Sequence, residues 1–252
     1  MANNDDGGVF DSGRILYVDE HCAVVNKIAG EAVEGASAGM IDLPRSLERA
    51  LKNTAAGPDR LALPVAVHRL DVPVSGCALF ARTQKALAFL SDAFRAHTVY
   101  ADTGQSGPSR NGAAEKHYWA VIEKPPHAIP QEACLVHWID DTKKNKSKAF
   151  DRPETGRKKA VLKYRLIGTG TNYLFLDVEL ITGRHHQIRC QLESAGLHIK
   201  GDLKYGARRS EKSGGIRLHA RSLTFPDPAS PGTITVQADP PVWDNLWREF
   251  LP

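Results

Sequence analysis

Apolar residues alternate with polar ones in several short stretches of this chain, and this period of two constrains the fold more than any other feature. The clearest stretch is 173–181, where one face carries Leu174, Leu176, Val178 and Leu180. Residues 116–123 repeat the pattern, as half-buried strands do. Because strand-like stretches outnumber helical ones and the helices are inserted singly, the sequence predicts an α+β domain on a large mixed sheet.

Cap residues define two helices within this strand-rich pattern. Thr83 is a predicted N-cap for an amphipathic helix over 84–97. A second helix is predicted over 184–195 and ends at Gly196. Residues 101–114 are rich in Gly, Ser, Pro and Asn, so they predict a surface insertion rather than a linker between domains.

Charge is distributed unevenly along the chain, although the net charge is only +4. Residues 143–165 hold ten Lys or Arg against two acids, and residues 200–221 hold seven against two. Such blocks produce a positive field that suits a polyanion such as nucleic acid. A solvated loop or a charged helix face would have the same composition, so charge alone leaves both interpretations open.

Several classes of protein are disfavoured by the sequence. No apolar run approaches the roughly 18 residues that a membrane helix needs, and the polar, acidic residues 1–8 do not resemble a signal peptide. The four cysteines form no CxxC pair, which argues against a zinc ribbon, and four are too few in 252 residues for a disulfide scaffold. We therefore expect a cytoplasmic protein, or an organellar one in a eukaryote, without membrane contact.

The first segment that suggests chemistry is His68-Arg69-Leu70-Asp71. Residues 66–70 predict a strand and 71–76 a loop, which would project the carboxylate of Asp71 into a cleft. A carboxylate that merely caps the loop, next to an arginine, would have the same sequence.

The second segment is TGRHHQIR at residues 182–189. On the predicted helix His185 and Arg189 lie one turn apart on one face, so Arg189 could meet a carboxylate from elsewhere. A surface salt bridge is the alternative. No metal is expected, because no ligand motif fits the spacing of His185, His186, His198 and His219.

Together these segments resemble the motifs of the RluA-type pseudouridine synthases. The family pattern HRLD-x-x-TSG-x-x-L-x-A-(K/R) is similar to HRLDVPVSGCALFAR at 68–82, with Val74 in place of Thr. The pattern TGR-x-HQIR-x-H is similar to TGRHHQIRCQ at 182–191, and G-x-P-I-x-GD-x-x-YG to GLHIKGDLKYG at 196–206. Similarity extends from about residue 14 to 225 and includes the strand EKHYWAVIE and the late element LHA.

This resemblance implies a large, mainly antiparallel, bent sheet with flanking helices and a central active-site cleft. It implies an isomerase that breaks the N1–C1′ bond of an RNA uridine and rejoins the uracil through C5, without a cofactor. The family's catalytic carboxylate matches Asp71, the arginine that pairs with it matches Arg189, and the tyrosine that stacks on the base matches Tyr118. Whether the carboxylate attacks the sugar or the base, or assists another route, stays open.

The resemblance also implies how the substrate is held. The predicted base and nucleotide contacts are Arg69, which would fill the space that the flipped base leaves, Leu218, His68 and Gln187. Phosphate contacts are predicted in the basic loop at Lys143, Lys144, Lys146, Lys148, Lys158 and Lys159. The expected partner is a structured ribosomal or transfer RNA.

The expected organisation is a monomer with a flexible acidic N-terminus at 1–13 and one catalytic domain at 14–252, without an S4-like domain. Two other functions are weaker candidates. An RNA-binding protein or RNA chaperone on the same scaffold, with catalysis lost, would lack a reason to keep Asp71, Tyr118 and Arg189. A hydrolytic glycosidase needs a second acid, and no identifiable position supplies one.

Overall fold

The computed structural model describes residues 10–37, 40–103, 114–142, 145–212 and 214–250, with the side chains of 96–103 excepted. Its strands are β1 Ile15–Val18, β2 Cys22–Lys27, β3 Glu31–Ala32, β4 Ile41–Asp42, β5 Arg60–Ala66, β6 Ser75–Thr83, β7 Glu115–Glu123, β8 Glu132–Asp140, β9 Lys148–Phe150, β10 Lys158–Thr169, β11 Tyr173–Leu180, β12 Leu218–Pro226 and β13 Thr233–Gln237. Its α-helices are α1 Leu43–Ala50, α2 Gln84–Thr103, α3 Gln187–Ser194 and α4 Asn245–Phe250.

One large sheet organises the described residues. Its strands follow the order β1-β2-β6-β12-β7-β11-β10-β8-β9, with β5 also paired to β6 and β13 to β12. The β6–β12 pair is parallel, whereas the neighbouring β2–β6 and β7–β12 pairs are antiparallel. The predicted α+β class, with a mixed and mainly antiparallel sheet, is confirmed.

The sequence periodicity explains how the central strands are buried. In β11 the predicted alternating residues are buried toward the main core. Phe175, on the opposite face of the same strand, is buried as well because Trp247 of α4 packs edge-on against it. α4 therefore buries the second face of the sheet at β7 and β11, which the alternation alone did not predict.

The predicted helix caps are present. The Thr83 hydroxyl accepts a hydrogen bond from the backbone N–H of Ala86 at the start of α2. After α3, Gly196 adopts a φ of 73°, and the N–H of Leu197 bonds back to the carbonyl of Leu192. This is the hydrogen-bond pattern of a Schellman motif, in which the left-handed residue is best supplied by glycine.

The second predicted helix begins three residues later than expected. Residues 182–186 form a turn in which the side-chain oxygen of Gln187 accepts bonds from the Thr182 hydroxyl and the Arg184 N–H. His186 has a left-handed φ of 52°, which interrupts a helix. The prediction that His185 and Arg189 share one helix face is therefore wrong.

Four strands were not predicted from the sequence. β3, β4 and β8 were not anticipated, and β9 lies inside the stretch that was predicted as a basic loop. The strand predicted over 66–70 is wrong, because β5 ends at Ala66 and the following residues form a loop. β8 alternates in burial along its length, but its sequence hides this period of two because Cys134, Val136 and Trp138 on the more exposed face are apolar as well. It is held by its pairing with β10, a long-range contact that local sequence does not reveal.

Candidate active site

A cavity of about 470 Å³ lies over the middle of the sheet. Its floor includes Tyr118 of β7 and Leu218 of β12, which are neighbouring strands. Its walls come from the loop at 67–74, from Phe94 and Arg95 of α2, and from the turn at 183–186. The two segments singled out in the sequence thus face each other across one cleft.

The 67–74 loop enters the cleft where β6 comes unusually close to β12. Gly76 adopts a φ of 111°, and a Cβ there would overlap the backbone of Ala220. Only glycine fits this approach without a shift of one strand. The Ser-Gly that follows the loop therefore fixes where the loop ends.

Asp71 and Arg189 are brought together at the base of the cavity. Nη1 of Arg189 donates to Oδ2 of Asp71 at 2.9 Å, while its Nε and Nη2 donate to the two carboxylate oxygens of Asp202 at 2.6 and 2.8 Å. Arg189 and Asp202 are almost fully buried, whereas Asp71 keeps 21% of its side chain exposed. Asp202 thus fixes the guanidinium in a bidentate geometry, and the remaining donor holds Asp71 toward the cavity.

Arg189 remains charged in this environment. Burial alone would lower its pKa, but the hydrogen bonds that it donates to Asp202 and the charges of Asp202 and Asp71 outweigh burial and raise the pKa above the ordinary value. A permanent positive charge therefore lies 2.9 Å from the carboxylate of Asp71. Oδ1 of Asp71 has no hydrogen-bond partner among the described residues and is available to a ligand.

The Asp71 loop is held from below by Lys27. Four carbonyl oxygens lie 2.6–3.2 Å from its Nζ, those of Ile28, Asp71, Val72 and Val74. Burial lowers the pKa of Lys27 to about 8, against the charges of Glu31 and Asp71, so its ammonium is mainly protonated near pH 7. A fully buried ammonium at the end of β2 therefore ties the loop to the sheet.

His186 approaches Asp71 from the other wall. The phenol oxygen of Tyr205 accepts the N–H of Ser147 and lies 2.8 Å from Nδ1 of His186. If the phenol donates to Nδ1, the imidazole proton resides on Nε2, which is 3.6 Å from Oδ2 of Asp71. Burial lowers the pKa of His186 to about 4, so the ring is neutral near pH 7.

Tyr118 and Leu218 form the apolar part of the floor. They project from the same face, since Leu218 pairs with Ala120 and Tyr118 with Ala220. Both side chains are buried in the main core. Burial, and secondarily the charge of Asp71, raises the pKa of Tyr118 above its ordinary value, so the phenol is protonated near neutral pH.

The remaining predicted substrate contacts all line the cavity but differ in exposure. Arg69 is 67% exposed and pairs at 3.1 Å with Glu34, which is also exposed. His68 stacks on Phe94, and burial lowers its pKa to about 3. Gln187 is buried and its amide nitrogen donates to the Val161 carbonyl, so its described bonds hold the 182–186 turn. Their roles toward a substrate stay predictions.

Among the described residues, Lys158 is the one predicted phosphate contact that lines the cavity. Lys143 and Lys144 fall outside the described residues. Lys146 pairs with Glu193 and Lys158 with Asp141, and Lys148 lies over the Phe150 ring. Lys159 is partly buried and also has a partner. In the other basic block, Lys200 and Arg217 both pair with Glu211.

No group of three or more His, Cys, Asp or Glu side chains is placed to hold a metal ion in the described ranges. Across the same ranges no helix is long and apolar enough to cross a membrane.

Comparison with known proteins identifies the family of this chain. Residues 21–194 match the family model described as RNA pseudouridylate synthase. The chain is 31% identical over 81% of its length to RNA pseudouridine synthase 4, mitochondrial, of Arabidopsis thaliana. It is 28% identical over 89% of its length to ribosomal large subunit pseudouridine synthase C of Vibrio cholerae. It spans 43% and 64% of the lengths of these two relatives.

A solved structure supports the architecture independently. The human RNA pseudouridylate synthase domain containing 4 superposes with a TM-score of 0.67 at 19% identity, covering 94% of this chain and 91% of that one. The chain therefore belongs to the RNA pseudouridylate synthase family, and the family predicted from the sequence motifs is confirmed.

Three side chains near the cleft had no role in the sequence prediction. Asp202 lies in the GD pair of the third motif, and its position there was the available signal. Lys116 precedes Tyr118 by two residues, so the same strand face carries both. Lys27 is the last residue of an apolar strand, a position at which a lysine is ordinarily exposed. Its local sequence does not indicate that it is buried.

Proposed function

We propose that this chain isomerises uridine to pseudouridine in an RNA, with Asp71 as the acting carboxylate. The observation that carries the proposal is the Asp202–Arg189–Asp71 arrangement. A guanidinium held in place on one side by a buried carboxylate presents its remaining nitrogen, Nη1, to Asp71 in the cavity. A loop-capping carboxylate would have no use for a buried cation organised in this way.

The reaction needs the groups that the cleft supplies. The N1–C1′ bond breaks, the uracil turns within the site, a C5–C1′ bond forms, and the proton at C5 is lost while N1 gains one. Mass is unchanged and no electron leaves the substrate, so an ionised carboxylate and a shielded pocket suffice. Oδ2 of Asp71 is held by Arg189, which leaves Oδ1 to face the sugar or the base.

Tyr118 and Leu218 are the proposed surfaces that enclose the uracil. An aromatic ring and an aliphatic side chain contact the base without fixing its rotation, which the isomerisation requires. Because its pKa is raised, Tyr118 acts near neutral pH as a phenol and not as a phenolate base. His186 is neutral, and its Nε2 lies 3.6 Å from Oδ2 of Asp71. It can therefore help to orient the carboxylate.

The proposed substrate is a ribosomal or transfer RNA whose target uridine leaves its stack. Extruding a base costs a few kcal/mol, least where the base is already unpaired. The exposed guanidinium of Arg69 is suited to fill the vacated space by stacking. We further propose that the protein acts as a cytoplasmic monomer, and that Lys146, Lys148 and Lys158 contact phosphates when RNA displaces their present partners.

Two carboxylates in the same cavity provide a matched test. Asp71→Asn and Asp141→Asn make the same chemical change, but only Asp71 contacts Arg189. Release of tritium from [5-³H]uridine in ribosomal and transfer RNA transcripts measures turnover. We expect no release above background with Asp71→Asn and measurable release with Asp141→Asn, each variant being checked for folding by its melting curve.

The RNA-binding alternative gives a different result. A protein that only binds RNA would leave pseudouridine levels unchanged when the gene is deleted, and wild-type protein would release no tritium from any transcript. Turnover by Asp71→Asn close to wild type would remove Asp71 from the proposed role while leaving the family assignment in place.

A further inference from the structure

One buried cation in the cleft is not explained by the isomerisation. Lys116 lies on β7 and lines the cavity, and 7% of its surface is exposed. Its Nζ sits 5.5 Å from the centre of the Phe94 ring. Among the described residues its Nζ has no hydrogen bond and no ion pair, and Nζ itself keeps contact with the cavity although the rest of the side chain is buried.

The carboxylates of the cavity do not neutralise Lys116. Asp71 and Asp141 are the acidic side chains among the described lining residues. Asp71 pairs with Arg189 at 2.9 Å and Asp141 with Lys158 at 2.9 Å. Both acids are thus committed to other cations, and Lys116 contributes an uncompensated charge to the cavity.

The surroundings of Lys116 would attract an anion. Arg69 and Arg95 line the same cavity, and each pairs only with an exposed carboxylate outside it. The turn beside Lys116 carries no side chain at Gly183, where a Cβ would lie 3.4 Å from Nζ. The structure therefore leaves room next to an ammonium in a region of positive potential.

We propose that Lys116 is an anion-binding subsite of the cleft, which takes a phosphate of the RNA next to the uridine that enters the cavity. This assignment rests on the proposed function. Lys116 and Tyr118 are two residues apart on one strand, about 7 Å along the same face. That separation suits a nucleotide whose base stacks on the tyrosine while its phosphate, one sugar away, meets the ammonium.

Phosphate fits this subsite better than a neutral group. Burial lowers the pKa of Lys116 to about 8, and no charge in the protein opposes that effect. The ammonium is still largely protonated near pH 7, so the free protein bears the cost of a buried charge without a counterion. A phosphodiester is always ionised and removes that cost, whereas a neutral oxygen removes only part of it.

The test uses the trinucleotide UpUpU and its neutral methylphosphonate analogue as ligands. Lys116→Met removes the charge and keeps the length of the side chain. Lys124→Met is the matched control, since Lys124 directly follows the same strand but is exposed. Dissociation constants at low salt come from calorimetry or from NMR titration, and melting curves of all three proteins are recorded without ligand.

We expect Lys116→Met to weaken UpUpU binding about ten- to a hundredfold, and Lys124→Met to change it less than about twofold. The methylphosphonate should bind wild type and Lys116→Met equally. Lys116→Arg should regain part of the loss. Lys116→Met should melt at or above the wild-type temperature, because a structural lysine would destabilise the fold when replaced and an uncompensated one would not.

Equal UpUpU affinity of wild type and Lys116→Met would overturn the proposal, as would no detectable binding by wild type. A loss that is just as large for the methylphosphonate, or a marked drop in melting temperature, would also overturn it. Failure of the proposed function would give a different pair of results. Tritium release would then be absent from every transcript, while charge-dependent binding of UpUpU through Lys116 persisted.

Discussion

Lys27 and Lys116 are both buried lysines beside the same cleft, and burial lowers the pKa of each to about 8. Their surroundings differ completely. Four backbone carbonyl oxygens surround Nζ of Lys27, while Nζ of Lys116 meets an aromatic ring and open space. The comparison teaches that burial of a charge does not define its role, and that the partners do. Lys27 stabilises the folded loop, whereas we propose that Lys116 binds a phosphate of the RNA.

Arg189 gives the largest expected effect, because its hydrogen-bond partners among the described residues are both carboxylates. Arg189→Met should lower the free energy of unfolding by about 3–5 kcal/mol, since buried Asp202 would be left without its counterion. Chemical denaturation measures the loss. Adding Asp202→Asn should recover more stability than adding Asp71→Asn, because Asp71 is partly exposed. Equal recovery would mean that burial of the carboxylate does not set the cost.

Lys27→Met tests the comparison directly. The carbonyl of Val74 would lose its 2.6 Å donor, whereas those of Asp71 and Val72 keep backbone bonds from Val74 and Gly30. We expect a loss of about 2–3 kcal/mol in the free energy of unfolding, measured by denaturation at pH 7. Turnover should fall as well, because the loop that carries Asp71 would loosen. A Lys27→Met protein as stable as Lys116→Met would contradict the distinction.

The smallest expected effect is the contribution of Lys116 to the pH dependence of the free energy of unfolding. Its pKa is lowered from 10.5 to about 8 in the folded protein. Between about pH 8 and 10.5 the unfolded chain therefore binds more protons, and the free energy of unfolding contributed by this group rises with pH. Below about pH 8 Lys116 is charged in both states, and its burial then lowers the free energy of unfolding by the full amount. In Lys116→Met the free energy of unfolding should rise less steeply with pH, because one titrating group is missing. At pH 7 it should exceed the wild-type value by about 1–3 kcal/mol.

Denaturation of both proteins at several pH values from 7 to 10.5 measures this difference. Lys27 is present in each protein, so its own titration cancels. Parallel curves for wild type and Lys116→Met would show that the ammonium already has a counterion in the free protein, contrary to its described surroundings.

Much of the fold could be predicted from local sequence because its signals are local. The alternation in β11, the Thr83 cap and the Gly196 stop each depend on a few neighbouring residues, and each prediction agrees with the structure. The start of α3 could not be placed in this way. It depends on the Gln187 side chain, which is drawn into the 182–186 turn and to the Val161 carbonyl of β10.

For the candidate site, the sequence by itself determined the family and the two motifs that face each other across the cleft. Asp71 and Arg189 are 118 residues apart, and their pairing could be expected only because both motifs resemble one family. Tertiary structure alone decided that Asp202 holds Arg189, that Lys27 holds the Asp71 loop, and that Lys116 has neither role. The reason is physical: whether a charged side chain is satisfied depends on which distant atoms surround it, and packing brings those atoms together.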